Sequence, residues 1–331
     1  MKITVLGSGS WGTALSIALS YKGHEITLSG NDADVTADVE NNRMNSRYIP
    51  GVTLPDSIHA TCDYGKALAE PEAVVFALPS HCFRLVLTEI KDIIPDVLTV
   101  NAGKGLERGT GKRSSYVVRD VLGEEFAANT VTLSGPNLAM EVAKGLPTAT
   151  VLASKNRENT LKAQAMFSSD HFRAYTSDDV AGLEIGGSFK NILAIGSGLC
   201  MGLGYGDNTK AALVARGLAE MTRLGAVFGA KQSTFMGLSG VGDIIATCSS
   251  RLSRNFSLGR MLGEGRTLEE SLKALDQVAE GVETCAAAEK LSEEYNVAMP
   301  ITHEIHAVLF EGKDPNDAVK TLMSRDLKSE A

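Results

Sequence analysis

At 331 residues the chain exceeds one ordinary small core, and roughly 150 residues per domain suggests two domains. Hydrophobic residues at 44%, charged residues at 22% and a mean hydropathy near zero exclude a disordered or membrane-bound chain. The net charge of -8 leaves no basic stripe with which a nucleic-acid binder would neutralise phosphates.

Residues 1–19 have the outline of a signal peptide, with Lys2 before an apolar run, but Gly7, Gly9 and Gly12 interrupt it. Five scattered cysteines, Cys62, Cys82, Cys200, Cys248 and Cys285, include no Cys-x-x-Cys pair and fit a reducing, cytoplasmic compartment. Strands are expected at residues 2–6, 25–28, 73–78, 97–101, 130–133 and 148–152, separated by helical patterns. Such alternation predicts an α/β fold: a Rossmann-type doubly wound parallel sheet, with several strands buried on both faces.

After about residue 180 the character turns helical, with helices expected over 183–203, 208–228, 243–248, 255–262, 267–275, 285–295, 302–310 and 314–323. The expected division is therefore a dinucleotide-binding domain over 1–181 and an all-helical substrate domain over 182–331. The longest apolar stretch, 192–203, is too short and too rich in glycine to span a bilayer.

The first strand runs into Gly7-Ser8-Gly9-Ser10-Trp11-Gly12, and a helix pattern follows at once. This is G-x-G-x-x-G in its proper setting. Gly7 serves the tight turn, Gly9 the approach of backbone to pyrophosphate, and Gly12 the helix-on-strand contact. Trp11 either packs under the helix or touches the cofactor. The second strand ends in Ser29-Gly30-Asn31-Asp32, where an acid grips ribose hydroxyls in NAD sites and a base accepts the 2′-phosphate of NADP. Asp32 fits the first role or caps the next helix, and Arg43 and Arg47 offer positive charge, so NAD and NADP both stay open.

Several further motifs occur in order: Asn101-Ala-Gly-Lys104-Gly-Leu-Glu, Ser134-Gly135-Pro, Lys190-Asn191, Gly206-Asp-Asn-Thr-Lys-Ala-Ala, Gly242-Asp243 and Ser253-Arg254-Asn255. With the glycine loop they resemble, nearly end to end, the NAD(P)-dependent glycerol-3-phosphate dehydrogenases, particularly the bacterial branch. The resemblance implies reversible hydride transfer between NAD(P)H and dihydroxyacetone phosphate, giving sn-glycerol 3-phosphate for glycerophospholipid biosynthesis, in a homodimer. Asn31 stands where relatives commonly carry Arg or His, and Asn137 where Ser or Thr is usual.

Ketone reduction needs a hydride donor and an acid for the developing oxyanion. The resemblance assigns the acid to Lys190, supported by Asp243 and Thr247. Lys190 interrupts an apolar helix, and its own face carries Gly186, Gly187, Ala194, Ser197 and Gly198, which leaves room for a ligand or serves close helix crossing while the lysine reaches solvent. Asp243 is alternatively a plain helix cap. Ser253, Arg254 and Asn255 suit a phosphate, with capping and a solvated charge as the alternative.

Lys104 follows a strand at the edge where open sheets bind ligands. By resemblance, Lys104, Gly135, Asn137, Lys190, Asn191, Asp243, Ser253, Arg254 and Asn255 meet substrate. On the same basis Gly7, Gly9, Ser10, Trp11, Gly12, Asn31, Arg47, Lys104, Ala139, Arg254, Val278 and Glu280 meet cofactor. Asp207 and Asn208 line the cleft or cap a helix. His303 and His306 lie three apart with no third ligand nearby, so no metal site is expected. Two alternatives keep the fold: a dehydrogenase of another hydroxy or keto acid, and a nicotinamide-sensing protein without catalysis.

Overall fold

The computed structural model describes residues 1–275, 278–327 and 329. Eight strands form one sheet: β1 (Lys2–Leu6), β2 (Glu25–Ser29), β3 (Ile58–Thr61), β4 (Ala73–Phe76), β5 (Leu98–Asn101), β6 (Val131–Ser134), β7 (Thr148–Ala153) and β8 (Phe172–Ser177). Their spatial order is β3-β2-β1-β4-β5-β6-β7-β8, and every neighbouring pair is parallel except β6 with β7. Crossing from β1 to both β2 and β4 creates the switch point beside which α/β sheets bind nucleotides.

All four residues of β4 and of β6 are buried, so these strands read as unbroken apolar or small runs. β3 and β8 were not expected from the sequence. β3 is an edge strand with only Ile58 buried, and β8 alternates buried Phe172 and Ala174 with exposed neighbours, leaving no apolar run to detect.

From residue 180 onward the described elements are helical. Val180–Gly202 is buried without interruption from Gly182 through Cys200, which makes it the axis of the second core rather than an amphipathic surface helix. Asp207–Val227, Asp243–Ser249, Arg254–Gly263, Glu280–Glu294 and Pro300–Phe310 surround it. A four-residue helix, Gln232–Phe235, and a π-helical turn, Leu238–Gly242, also escaped expectation because Gly237, Gly240 and Gly242 read as loop. No helix is long and apolar enough to cross a membrane among the described residues.

The small-residue stripe beside Lys190 is filled by protein, which corrects the expectation of ligand room there. A methyl group on Gly186 would lie 2.2 Å from the Ser239 carbonyl oxygen, and one on Gly198 would lie 2.1 Å from that of Phe256. These glycines let the turn before Asp243 and the Arg254–Gly263 helix close directly onto the central helix.

Candidate active site

The dinucleotide end starts where β1 meets the Ser10–Tyr21 helix. Gly7 has φ +116°, and a Cβ there would lie 2.4 Å from the Ala77 carbonyl oxygen. On Gly12 the Cβ would lie 1.8 Å from the Gly7 carbonyl oxygen. Gly9 differs: an added Cβ meets nothing within 4 Å, so backbone at the helix start faces open space. That cradle fits a pyrophosphate approaching main-chain N–H groups.

Around it, Ser10 Oγ donates to the Tyr48 carbonyl at 3.1 Å and Trp11 Nε1 donates to that of Ala102 at 2.9 Å. The indole therefore packs on the sheet core, which favours the packing alternative for Trp11. Asp32 takes the capping role, its Oδ1 accepting from the N–H groups of Asp34 and Val35. Its Oδ2 accepts from Arg47 at 2.8 Å, and the Arg47 guanidinium lies over the Tyr48 ring; Asn31, next to Asp32 in sequence, is exposed. Acid and base at the ribose end thus neutralise each other.

The second centre is a buried charge cluster. Lys190 is 7% and Asp243 1% exposed, which overturns both the solvent-reaching lysine and the plain capping carboxylate. Lys190 Nζ donates to Asp243 Oδ1, and to Thr247 Oγ1 at 3.0 Å. Thr247 in turn donates to the Asp243 backbone carbonyl at 2.6 Å. Lys104, arriving from the loop after β5, donates to Asp243 Oδ2 at 2.8 Å and to the Gly135 carbonyl at 2.9 Å. One carboxylate is therefore shared by two ammoniums. Burial pushes the Lys190 amine down to about 8; Asp243 opposes the shift and Lys104 adds to it.

Glu280 opens the Glu280–Glu294 helix and accepts the Ser80 N–H at 3.2 Å. Burial raises its carboxyl pKa, while nearby Arg254, Lys190 and Lys104 draw it back. Arg254 itself is exposed. Ser253 caps the Arg254–Gly263 helix, accepting from Phe256 N–H. Asn255 Oδ1 accepts the Gly281 N–H at 2.9 Å, and buried Asn191 lies beside the same glycine through its backbone carbonyl.

Other expected residues are not brought to the cluster. Asn137 spends both ends of its amide on β7: Nδ2 donates to the Ala149 carbonyl at 3.0 Å and Oδ1 accepts from Thr150 at 3.0 Å. Ala139 packs against the sheet core, and Val278 is exposed. Asp207 lies in the first turn of its helix, capped instead by Gly206, and pairs with Lys210 at 2.9 Å. His303 and His306 bond to Glu289 and Glu311, and no group of three metal-ligating side chains occurs among the described residues.

The family described as NAD-dependent glycerol-3-phosphate dehydrogenase matches with its N-terminal part over residues 2–160 and its C-terminal part over 179–320. The chain belongs to that dehydrogenase family. Over 331 residues it is 48% identical to glycerol-3-phosphate dehydrogenase (NAD(P)+) of Carboxydothermus hydrogenoformans, covering 100% of this chain and 98% of that protein. Identity to the same-named protein of Thermoanaerobacter sp. is 47%, covering 100% and 99%. The crystal structure of glycerol-3-phosphate dehydrogenase from Coxiella burnetii superposes with a TM-score of 0.93 at 38% identity, covering 98% of this chain and 99% of that one. The glycine loop and the Lys104–Asp243–Lys190 cluster lie within the stretches matched to this dehydrogenase family.

Proposed function

We propose that the chain catalyses reversible hydride transfer between NAD(P)H and dihydroxyacetone phosphate, giving sn-glycerol 3-phosphate for glycerophospholipid biosynthesis. The observation that carries this reading is the Asp243 carboxylate held between Lys104 and Lys190. The nicotinamide, when bound, supplies or accepts the hydride. Backbone at Gly9 and Ser10 would hold the pyrophosphate of the dinucleotide, with Gly7 and Gly12 shaping the turn, while Asn31 and Arg47 would meet its adenosine end.

Lys190 is the acid in reduction. Two of its three N–H bonds go to Asp243 and Thr247, and the third is directed to the substrate carbonyl oxygen. As negative charge develops there, Nζ gives up its proton; in oxidation the neutral amine takes it back. A pKa of about 8 matches this double duty near neutral pH. Lys104, Arg254 and the amide N–H of Asn255 take the phosphate, with Ser253 fixing the helix start from which the last two project. Asn137 supports the Ser134–Gly135 turn in this reading.

The proposal extends to a homodimer in the cytoplasm, built from a cofactor domain over 1–181 and a substrate domain over 182–331, and, with its net charge of -8, free of nucleic acid. Purified protein mixed with dihydroxyacetone phosphate should consume NADH or NADPH, followed by loss of reduced-nicotinamide absorbance. No turnover with either cofactor defeats the reading. Faster turnover of keto acids than of the phosphate would move it to a different hydroxy acid. Light scattering tests the dimer.

A further inference from the structure

Lys104 sits immediately ahead of a small hairpin over residues 105–113. Leu106 and Arg113 bridge its base, Glu107 N–H donates to the Lys112 carbonyl at 2.9 Å, and Arg84 grips the Glu107 carboxylate at 2.6 and 3.0 Å. The hairpin is thus a stiff unit with Lys104 at its leading edge.

Both of its ends are fastened to one face of the helix that carries Lys190. At the leading end the Gly105 N–H donates to Ser188 Oγ at 3.1 Å. At the trailing end Arg113 donates to Glu184 Oε2 at 2.6 Å. Ser115 adds its N–H to Oε1 at 2.6 Å and its hydroxyl to Oε2 at 2.7 Å. Glu184 and Ser188 lie one helical turn apart and are themselves joined, Ser188 Oγ donating to the Glu184 carbonyl. The Arg113 and Glu184 side chains are 8% and 3% exposed.

A buried ion pair is a poor source of net stability, because apolar side chains of similar volume often do as well. What directed bonds supply and apolar contact does not is a fixed register. We propose that Glu184 and Ser188 are positioning residues that lock the Lys104 hairpin in register with the Lys190 helix, so that both ammoniums meet Asp243. Removing the lock lets the hairpin slide while leaving Lys190 and Asp243 in place, and a displacement of about 1 Å at such a group lowers turnover roughly a hundredfold.

The kinetic side of the inference rests on the hydride-transfer reading, so two readouts are needed. The variants are Ser188→Ala, which deletes the bonds to Gly105 N–H and the Glu184 carbonyl, and the double replacement Arg113→Met with Glu184→Met, which substitutes apolar packing for the ion pair and removes both Ser115 bonds. Both are expected to melt cooperatively near the wild-type temperature. Turnover with dihydroxyacetone phosphate should nonetheless fall roughly tenfold or more. Independently of turnover, acetic anhydride followed by peptide mass spectrometry should modify Lys104 faster in both variants, because its ammonium leaves Asp243 and Gly135.

A wild type inactive on this substrate defeats the hydride-transfer reading, and the Lys104 labelling comparison still decides the positioning role. A stable double variant with unchanged turnover and unchanged labelling overturns the inference. Should that protein not fold, the same unchanged pair of results in Ser188→Ala overturns it.

Discussion

Replacing Asp243 by Asn keeps the side chain's shape and removes the charge that two ammoniums share. Burial lowers the Lys190 amine to about 8, and Asp243 is the strongest influence holding it up. Without the carboxylate, burial and Lys104 act in the same direction. A contact ion pair at about 4 Å and an effective dielectric constant near 20 is worth ~4 kcal/mol. At ~1.4 kcal/mol per unit that equals about three pKa units. The Asn dipole and local relaxation keep part of it, so the expected displacement is about one to three units downward.

The sign follows from protonation. Reduction needs the ammonium, so wild-type kcat/KM for dihydroxyacetone phosphate holds below about pH 8 and declines above it. In Asp243→Asn the decline begins at least about one unit lower. Oxidation of glycerol 3-phosphate needs the neutral amine, so its acid limb moves down by the same amount. The assay is initial rate against pH in both directions, with a thermal melt in parallel because uncoupling a buried pair costs ~3–5 kcal/mol of stability. Limbs that stay near pH 8 in a folded variant would refute the tuning of Lys190 by Asp243.

Lys190→Ala is expected to abolish turnover while retaining cofactor, which titration of fluorescence from Trp11, the only tryptophan, can follow; turnover at the wild-type level removes Lys190 from the mechanism. Arg47→Ala frees Asp32 from its partner, and loss of one charge-assisted bond of ~1.5–3 kcal/mol should raise the KM for NADPH about tenfold or more while sparing NADH. Equal losses with both cofactors would show that Arg47 does not read the 2′-phosphate. Stability should also report the buried lysine. Between about pH 8 and 10.5 the unfolded chain binds more protons at residue 190 than the native one does, so this group makes stability rise with pH across that window. Chemical denaturation of Lys190→Met should lack that rise, and an unaltered slope would contradict the lowered pKa.

How far sequence reaches depends on the range of the interaction. The G-x-G-x-x-G loop is local: crowding at Gly7 and Gly12 accounts for glycine at the turn and at the helix contact, and Gly9 faces open space. Strands with unbroken apolar runs are equally local signals. Edge strands β3 and β8 carry half the pattern and were invisible. Lys190 and Asp243 are 53 residues apart and Lys104 and Asp243 139 apart, so no periodicity links them; only the resemblance connected the motifs. Glu184, Ser188 and Arg113 lay outside every motif, and no sequence signal marks them. Asn137 is the opposite case, a motif position whose side chain bonds to its own sheet.

Charge is where the global and local readings diverge. A chain of net charge -8 is an unpromising host for a phosphate ester. Yet Lys104 and Lys190 converge on one carboxylate, Asp243, and both ammoniums are largely buried. The cluster therefore carries surplus positive charge behind low-dielectric walls, where Coulomb attraction is several times stronger than in water. A phosphate dianion relieves that surplus, and each cation it engages is one less competitor for Asp243. In the proposed reading, drawing Lys104 toward the anion leaves Asp243 to Lys190 and favours the ammonium that reduction needs, and an acidic protein needs no basic surface to achieve it.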